Sequence, residues 1–451
     1  MGARHDTDLR VGRTASVVLG LLVAAVTAGT VAGLVALRPD PDVAATTRAQ
    51  SPYAGVRLVD AEVVRTRPVD CASVGTDAVG GAVSLPDQAG ADAAPVAPPP
   101  DDGTSGTDPA ATDCAQATVR VTATDGATPV TTDVPVPVEA ARAGLRPGDP
   151  VRLAVYPAQD GVPTTYGFVG YERRPPLALL AIVFALLVVA VARWKGLAAL
   201  AGVGIAGGVV AVFLLPALRT GGPPLPLAVV TAAAIMIPVL YLAHGVNART
   251  TTALLGTVAG LAVTAGLAAF ATSAAHLDGL VSDEDFELSR LTTGGGLGGV
   301  VLAGIVVAGL GVLNDVTVTQ ASAVWEVKAH APHLRAGALF ASGMRVGRDH
   351  LASTVYTIVF AYAGAALPTL LLVDLYAEPL GVTLTAGDVA YEVVRTLVGA
   401  IGLVLAIPLT TALAAVVAAR GRPGTAAVAL PAADVPADDA DADTDAALLA
   451  R

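Results

Sequence analysis

An aspartate that follows a long apolar stretch is the residue of this sequence best placed to do chemistry. Asp315 is the only charged residue between Arg290 and Glu326, and the residues before it are apolar enough to cross a bilayer. An ionisable side chain at membrane depth is costly, so it is by default a candidate for a functional site. The sequence predicts either that Asp315 exchanges a proton during transport or that it is a structural partner for a nearby arginine.

Polar side chains surround this aspartate in the sequence. Asn314 precedes it, and Thr317, Thr319 and Gln320 follow within five residues. These side chains could hydrogen-bond an ion, a proton carrier or a substrate, which makes them candidates for a transport path. They could equally bond to backbone carbonyls of their own helix.

A second charged group precedes the next apolar segment. It contains Arg345, Arg348 and Asp349. Adjacent residues on a helix point to different sides, so Arg348 and Asp349 need separate partners. One hypothesis is a gate in which Arg348 pairs with Asp315. The other is a charge cluster at the membrane entry that only sets orientation.

Glycines are dense in the segment that leads to Asp315. Small residues allow helices to approach closely, and this explains many glycines in membrane proteins. The alternative is a helix that bends or breaks at Gly309 and Gly311, as at the discontinuous helices of transporter binding sites.

Several classes of chemistry lack their sequence signals. The chain has no hydrolase elbow, Walker loop or zincin motif, so we expect no enzyme activity and no cofactor. His330 and His333 flank Pro332, which works against the helix that a metal site of this spacing needs, so no metal site is predicted. No basic patch indicates binding to nucleic acid.

The elements that must position these residues are membrane helices. Of 451 residues, 54% are hydrophobic and only 14% are charged, whereas a soluble chain carries about 25% charge. The segment 14–37 follows a cytoplasmic N-terminus at 1–13 and is long enough to be an uncleaved anchor. A seven-helix membrane domain is expected over 175–422. Its spans are predicted at 176–192, 197–217, 225–244, 250–272, 295–318, 351–373 and 395–419.

The short loops that would lie in the cytoplasm carry clusters of basic residues, whereas the loops on the other side are mainly acidic. This bias predicts a multi-pass protein of the cytoplasmic membrane, with about eight spans and with both termini in the cytoplasm. A tail of alanine, proline and aspartate at 423–451 has no hydrophobic period and is predicted to be disordered.

The large polar region at 38–174 is predicted to be a small extracytoplasmic β domain, barrel-like in form. Apolar and polar residues alternate at 56–65, 118–122 and 151–156, with turn residues between these runs. Cys71 and Cys114 are the two cysteines of the chain. They predict a disulfide at the base of a disordered insertion at 87–112, with two unpaired thiols as the alternative.

Several short motifs in the second half of the chain form a set. They are 342–349 (SGMRVGRD), Tyr356-Thr357, 361–364 (AYAG), Leu367-Pro368 and, earlier, Gly311 followed by Asn314-Asp315-Val316. This set resembles the signature of the YibE/F family of bacterial integral membrane proteins, and the resemblance extends over about 50–420. Many members have Met at the position of Asn314, and other small or apolar residues at His350 and Ala352.

The resemblance implies an inner-membrane protein with a β domain outside the cytoplasm. It implies no established reaction and supplies no catalytic residues. The function that we expect is a permease or exporter of an unidentified small solute or ion, coupled to protons through Asp315. The alternative is a membrane scaffold or assembly factor whose outer β domain binds a protein partner. The lipid bilayer is the one partner common to both.

Overall fold

The computed structural model describes most of the chain between residues 12 and 421. The described ranges are 12–42, 56–69, 114–121, 129–158, 163–280, 285–286, 288–289, 296–376, 379–385 and 387–421. Residues 1–11 of the predicted N-terminal segment, the predicted insertion at 87–112 and the predicted tail at 423–451 lie outside these ranges, as does Cys71.

The described residues form two compact units. The first unit contains a β sheet and continues along the chain to Ala201. The second unit contains the first helix and the helices from Gly202 onward.

The sheet of the first unit has five antiparallel strands in the order β3-β2-β1-β4-β5. The strands are β1 (Arg57–Val69), β2 (Cys114–Val121), β3 (Val130–Val136), β4 (Pro150–Tyr156) and β5 (Thr165–Tyr171), with a short helix α2 (Val138–Arg142) after β3. The two ends of the strand order, β3 and β5, contact each other. The predicted barrel-like domain is therefore present as a half-barrel sheet.

Strand β1 explains how the sheet curls. Its first half pairs with β4 and its second half pairs with β2, and the register of the β1–β2 pairing shifts between Val63 and Arg65. A shift of this kind bends the strand and increases its twist. The alternating apolar side chains of the strands then meet on the inner face, where Val63, Val119 and Leu153 are buried.

The predicted disulfide lies beside the β1–β2 pairing. Cys114 begins β2, is buried, and is paired in register with Val69 at the end of β1. Val69 precedes Cys71 by two residues, so this register is compatible with a disulfide. The disulfide itself stays a prediction, because Cys71 lies outside the described ranges.

A cluster of four charged side chains joins the sheet to the helix that follows it. Arg152 of β4 and Arg174 both bond to Glu172, and Arg174 also bonds to Asp60 of β1. The Arg174 guanidinium, together with Arg152, holds the pKa of Glu172 at about 2, well below its ordinary value of 4.5. The folded state of this region therefore favours the charged carboxylate.

Long apolar helices make up most of the remaining chain. They are α1 (Arg13–Ala36), α3 (Arg174–Ala192), α4 (Trp194–Arg219), α5 (Pro224–His244), α6 (Ala248–Ala274), α7 (Leu297–His330), α8 (Ala336–Ala365), α9 (Leu367–Tyr376), α10 (Leu380–Thr383) and α11 (Gly387–Ala419). Seven helices of the described residues are long and apolar enough to cross a membrane, and α8 with α9 would make an eighth if this bent pair is one span. These helices are compatible with a polytopic membrane protein.

The predicted span at 351–373 differs most from the structure. Helix α8 begins at Ala336, and the chain bends by 67° between α8 and α9. The bend follows from Pro368, which has no backbone N–H to donate and whose ring clashes with the carbonyl one turn before it. The helix thus begins 15 residues before the predicted span, and the single span at 351–373 stays a prediction.

The core of the second unit is formed by α6, α7 and α11, with α5 and the first half of α8 packed against them. Leu254, Leu313 and Leu403 are fully buried between these helices. Small residues allow the close approach. A Cβ atom at Gly256 would lie 2.3 Å from the Thr410 hydroxyl oxygen, so nothing larger than hydrogen fits there.

Candidate functional site

Asp315 lies on α7 on a side of the helix that other parts of the protein leave open. Its side chain is 69% exposed, and the Oδ2 atom lies 3.8 Å from Nε2 of His350 on α8. This distance is too long for a hydrogen bond but close enough for attraction when the imidazole is protonated. The pair therefore joins two helices through ionisable groups.

The arginine gate is not formed in this structure. Within the described ranges, no ion pair joins Asp315 to Arg345 or Arg348. Arg345 instead donates to the Ser342 hydroxyl. Arg348 and Asp349 are both exposed. In this structure His350, and not Arg348, lies beside Asp315, and the gate stays a prediction.

The polar neighbours of Asp315 in the sequence point to different sides of α7. Thr319 donates to the backbone carbonyl of Asp315 at 2.8 Å. The fully buried Thr317 hydroxyl lies 2.6 Å from that of Thr257 on α6. Asn314 has a buried Oδ1 atom that accepts no hydrogen bond from the described residues. The five candidates of this segment thus do not line one common surface.

Gln320 lies at the junction of three helices. Its side chain is fully buried, and its Oε1 atom accepts a hydrogen bond of 3.0 Å from Thr411 of α11. Its Nε2 atom makes no hydrogen bond to the described residues. The amide group also contacts α8, because a Cβ atom at Gly347 would lie 3.0 Å from Nε2. A movement of α8 would therefore change the surroundings of an unsatisfied buried donor.

Helix α7 is not broken at the two glycines that precede Asp315, since it runs without interruption from Leu297 to His330. Gly309 has a packing role: a Cβ atom there would lie 3.1 Å from the Thr264 methyl group. Gly311 has no atom near its Cβ position. The hypothesis of a break is therefore wrong, and a bend at Gly309 or Gly311 stays a prediction.

The second unit also contains a cavity that the sequence did not predict. It has a volume of about 340 Å³ and lies where the loop after α6, the first residues of α7 and α11, and the α8–α9 bend meet. Its walls are formed by Gly279, Asp285, Val301, Ala365, Ala366, Thr369, Val389, Tyr391, Glu392 and Arg395. Charged, aromatic and small apolar side chains thus line one half-open cavity.

An ion pair forms part of the wall of this cavity. Arg395 donates to Glu392 through a contact of 2.8 Å, and both side chains are about 30% exposed. Beside them the Tyr391 hydroxyl donates to Asp278 at 3.2 Å and accepts from the backbone N–H of Gly279. Tyr391 therefore holds the loop after α6 against the start of α11.

The sequence contained a signal for this cavity. Glu392 and Arg395 are three residues apart at the start of an apolar segment, which places them on one helix face. The predicted span at 395–419 begins at Arg395 and leaves out Glu392, so the two charges were not recognised as a pair on one helix. The structure extends the helix back to Gly387.

Comparison with known proteins identifies the membrane part of the chain. A family model described as YibE/F-like protein matches residues 180–420, which is more than half of the chain and includes Asp315, His350 and the cavity residues of α11. No curated protein and no solved structure matches the sequence. The resemblance found in the sequence motifs is thereby confirmed, and the chain belongs to the YibE/F-like family.

Proposed function

We propose that this protein is a permease or exporter of a small solute or ion, coupled to protons through Asp315, and not an enzyme. It would lie in the cytoplasmic membrane with both termini in the cytoplasm and with the β sheet outside. The observation that supports this function best is the pairing of Asp315 with His350. Two ionisable side chains lie on different helices, the exposed Asp315 and the partly buried His350, and together they form a group that a proton could enter and leave.

The length of α7 limits where Asp315 can lie. A helix of 34 residues is about 51 Å long, whereas the hydrocarbon core is about 30 Å thick. Asp315 is 18 residues from the start of α7, or about 27 Å along its axis. A carboxylate that lies between protein and lipid at such a depth is costly. We therefore expect water to reach Asp315 through a path in the protein or from the membrane edge.

Charged thiol reagents test for this water. Both native cysteines are removed, and single cysteines are placed from Leu310 to Gln320 in the full-length chain. We expect labelling at Gly311, Asp315 and Thr319, which lie one turn apart, and protection at the buried Val316 and Thr317. Labelling that changes when cells are energised would support a path that opens and closes.

Gly304 provides the control for a surface that faces lipid. It is exposed on the same helix, about three turns before Asp315. A cysteine there should stay unlabelled by the charged reagent in the membrane, because a thiol in hydrocarbon does not ionise, and should be labelled after the protein is denatured. If the cysteines at 311, 315 and 319 behave like the one at Gly304, water does not reach Asp315 and the proposed proton coupling is wrong.

The alternative function is a membrane scaffold whose β sheet binds a protein partner. Exposed apolar side chains on the strands, including Leu58, Val130 and Val169, favour this alternative. It predicts that replacing these three residues by serine abolishes function while Asp315→Asn has no effect. The permease function predicts instead that Asp315→Asn abolishes function.

A further inference from the structure

The ion pair in the cavity wall has hydrogen-bonding capacity that the described residues do not fill. Glu392 bonds to Arg395 through Oε1, while its Oε2 atom is buried and accepts no hydrogen bond from them. On the other partner, the Nε atom of Arg395 is buried and donates to none of them. Leaving buried atoms of charged groups without partners is costly. One acceptor and one donor of the pair thus stay unsatisfied, and because both atoms are buried, a ligand reaches them only when the two side chains turn toward the cavity.

The charges around the cavity have both signs. Glu392 and Asp285 are negative, Arg395 is positive, and Asp278 lies behind Tyr391. A simple anion would meet the carboxylates, and a simple cation would meet the guanidinium. A solute with both charges matches both, because its ammonium group can bond to Glu392 and its carboxylate to Arg395.

The size of the cavity and its remaining walls restrict the solute further. A volume of about 340 Å³ lies near the lower limit of ligand pockets, which range from about 300 to 1,000 Å³. Val301, Ala365 and Val389 provide apolar surface for a small side chain. The hydroxyl of Thr369 adds a polar group to this wall.

We propose that this cavity binds a small zwitterion of the α-amino acid type, with Glu392 bonded to the ammonium group and Arg395 to the carboxylate. This assignment names a substrate class for the proposed permease and rests on that function only as far as transport is concerned. The site is distinct from the Asp315–His350 pair. Asp315 is 14 residues beyond Val301 on α7, which corresponds to about 21 Å along the helix.

The test is binding of free amino acids to the purified full-length protein in detergent. Thermal unfolding is measured with each of the twenty standard amino acids. We expect at least one to raise the unfolding temperature in a concentration-dependent manner. Its methyl ester, which lacks the carboxylate, and its N-acetyl derivative, which lacks the ammonium group, should each bind at least about tenfold more weakly.

Two variants assign the binding to the cavity. The double variant Glu392→Gln/Arg395→Gln keeps two polar side chains of similar size and leaves no lone buried charge, and it should lose the preference for the amino acid over its ester. The matched control is Glu326→Gln, at an exposed carboxylate of α7 outside both sites, which should bind the amino acid with unchanged affinity. Elution as a single species in size-exclusion chromatography verifies that both variants fold.

Three results would overturn the assignment: no amino acid binds, the ester binds as well as the acid, or the double variant retains the preference. Transport is measured separately, as uptake of the same radiolabelled amino acid into proteoliposomes. Binding without uptake would leave the cavity assignment intact and contradict the permease. Uptake of another solute without amino acid binding would contradict the cavity assignment and leave the permease intact.

Discussion

At the scale of single residues, the sequence revealed Asp315 but not its partner. A lone carboxylate in an apolar segment is visible without any structure, because its cost in the membrane does not depend on the fold. Which residue faces it does depend on the fold. His350 follows Arg348 by two residues, and this places the two side chains about 200° apart around α8. The rotation of α8 relative to α7 decides between them, and no local pattern encodes that rotation.

Substitution of the two paired residues tests whether they act together. We expect Asp315→Asn and His350→Gln each to abolish solute-driven proton uptake in proteoliposomes. The double variant should be no worse than either single variant, because both remove the same interaction. Arg348→Gln is the control and should retain uptake. Independent, additive defects would show that the contact between Asp315 and His350 has no role in coupling.

At the scale of elements, two glycines determine how α8 packs. A Cβ atom at Gly343 would lie 2.7 Å from the Thr411 methyl group, and one at Gly347 would lie 2.8 Å from the Ile407 side chain. The sequence showed that the two glycines are four residues apart, but not which helices they contact. Sequence also missed the bend at Pro368, because the apolar run continues through it and a hydrophobicity pattern carries no information on direction.

A larger side chain at these glycines should separate α8 from its neighbours. We expect Gly347→Val to destabilise the protein by about 1–3 kcal/mol, since extra volume in a packed interface forces side chains and backbone to shift. The measurement is the unfolding temperature in detergent. Gly337→Val, on the same helix with open space at its Cβ position, is the control. Equal losses in the two variants would mean that valine acts through helix propensity and not through packing.

At the scale of the whole molecule, the chain combines a soluble-type sheet with a group of apolar helices. Alternating residues were sufficient to predict β1, β2 and β4. Strands β3 and β5 were missed. Pro135 interrupts β3, and Gly167 and Gly170 interrupt β5. Such residues ordinarily argue against a strand. Both strands lie at the ends of the strand order, where an unpaired edge tolerates them.

Acid should loosen the connection between the sheet and α3. The pKa of Glu172 is lowered to about 2 in the folded state, against 4.5 as its ordinary value. The contribution of this carboxylate to stability is therefore complete above pH 4.5 and is lost as the pH falls from there toward 2. We expect the protection of β1 and β4 amides, measured as their exchange rate relative to the intrinsic rate at each pH, to fall over this window.

Glu172→Gln is the matched variant for that measurement. It keeps the shape of the side chain but cannot ionise. Its amides should therefore be less protected already at pH 6, and the additional loss of protection below pH 4.5 should be smaller than in the natural chain. The same acid response in both proteins would indicate that other carboxylates control the sheet.

Helices α6 and α11 are matched in antiparallel register at intervals of four residues. Gly256 faces Thr410, Gly260 faces Ala406, and Thr264 faces Gly402. If α6 slid along α11 by one turn, about 5.4 Å, Thr264 would meet Val398 instead of Gly402. The two helices should therefore move as one body during the proposed transport cycle. The second half of α8 is freer to move, because Ile358 is the only buried residue of this helix after Gly347. That half-helix passes from His350 to the cavity, so its displacement would alter the proton site and the solute site in a single step.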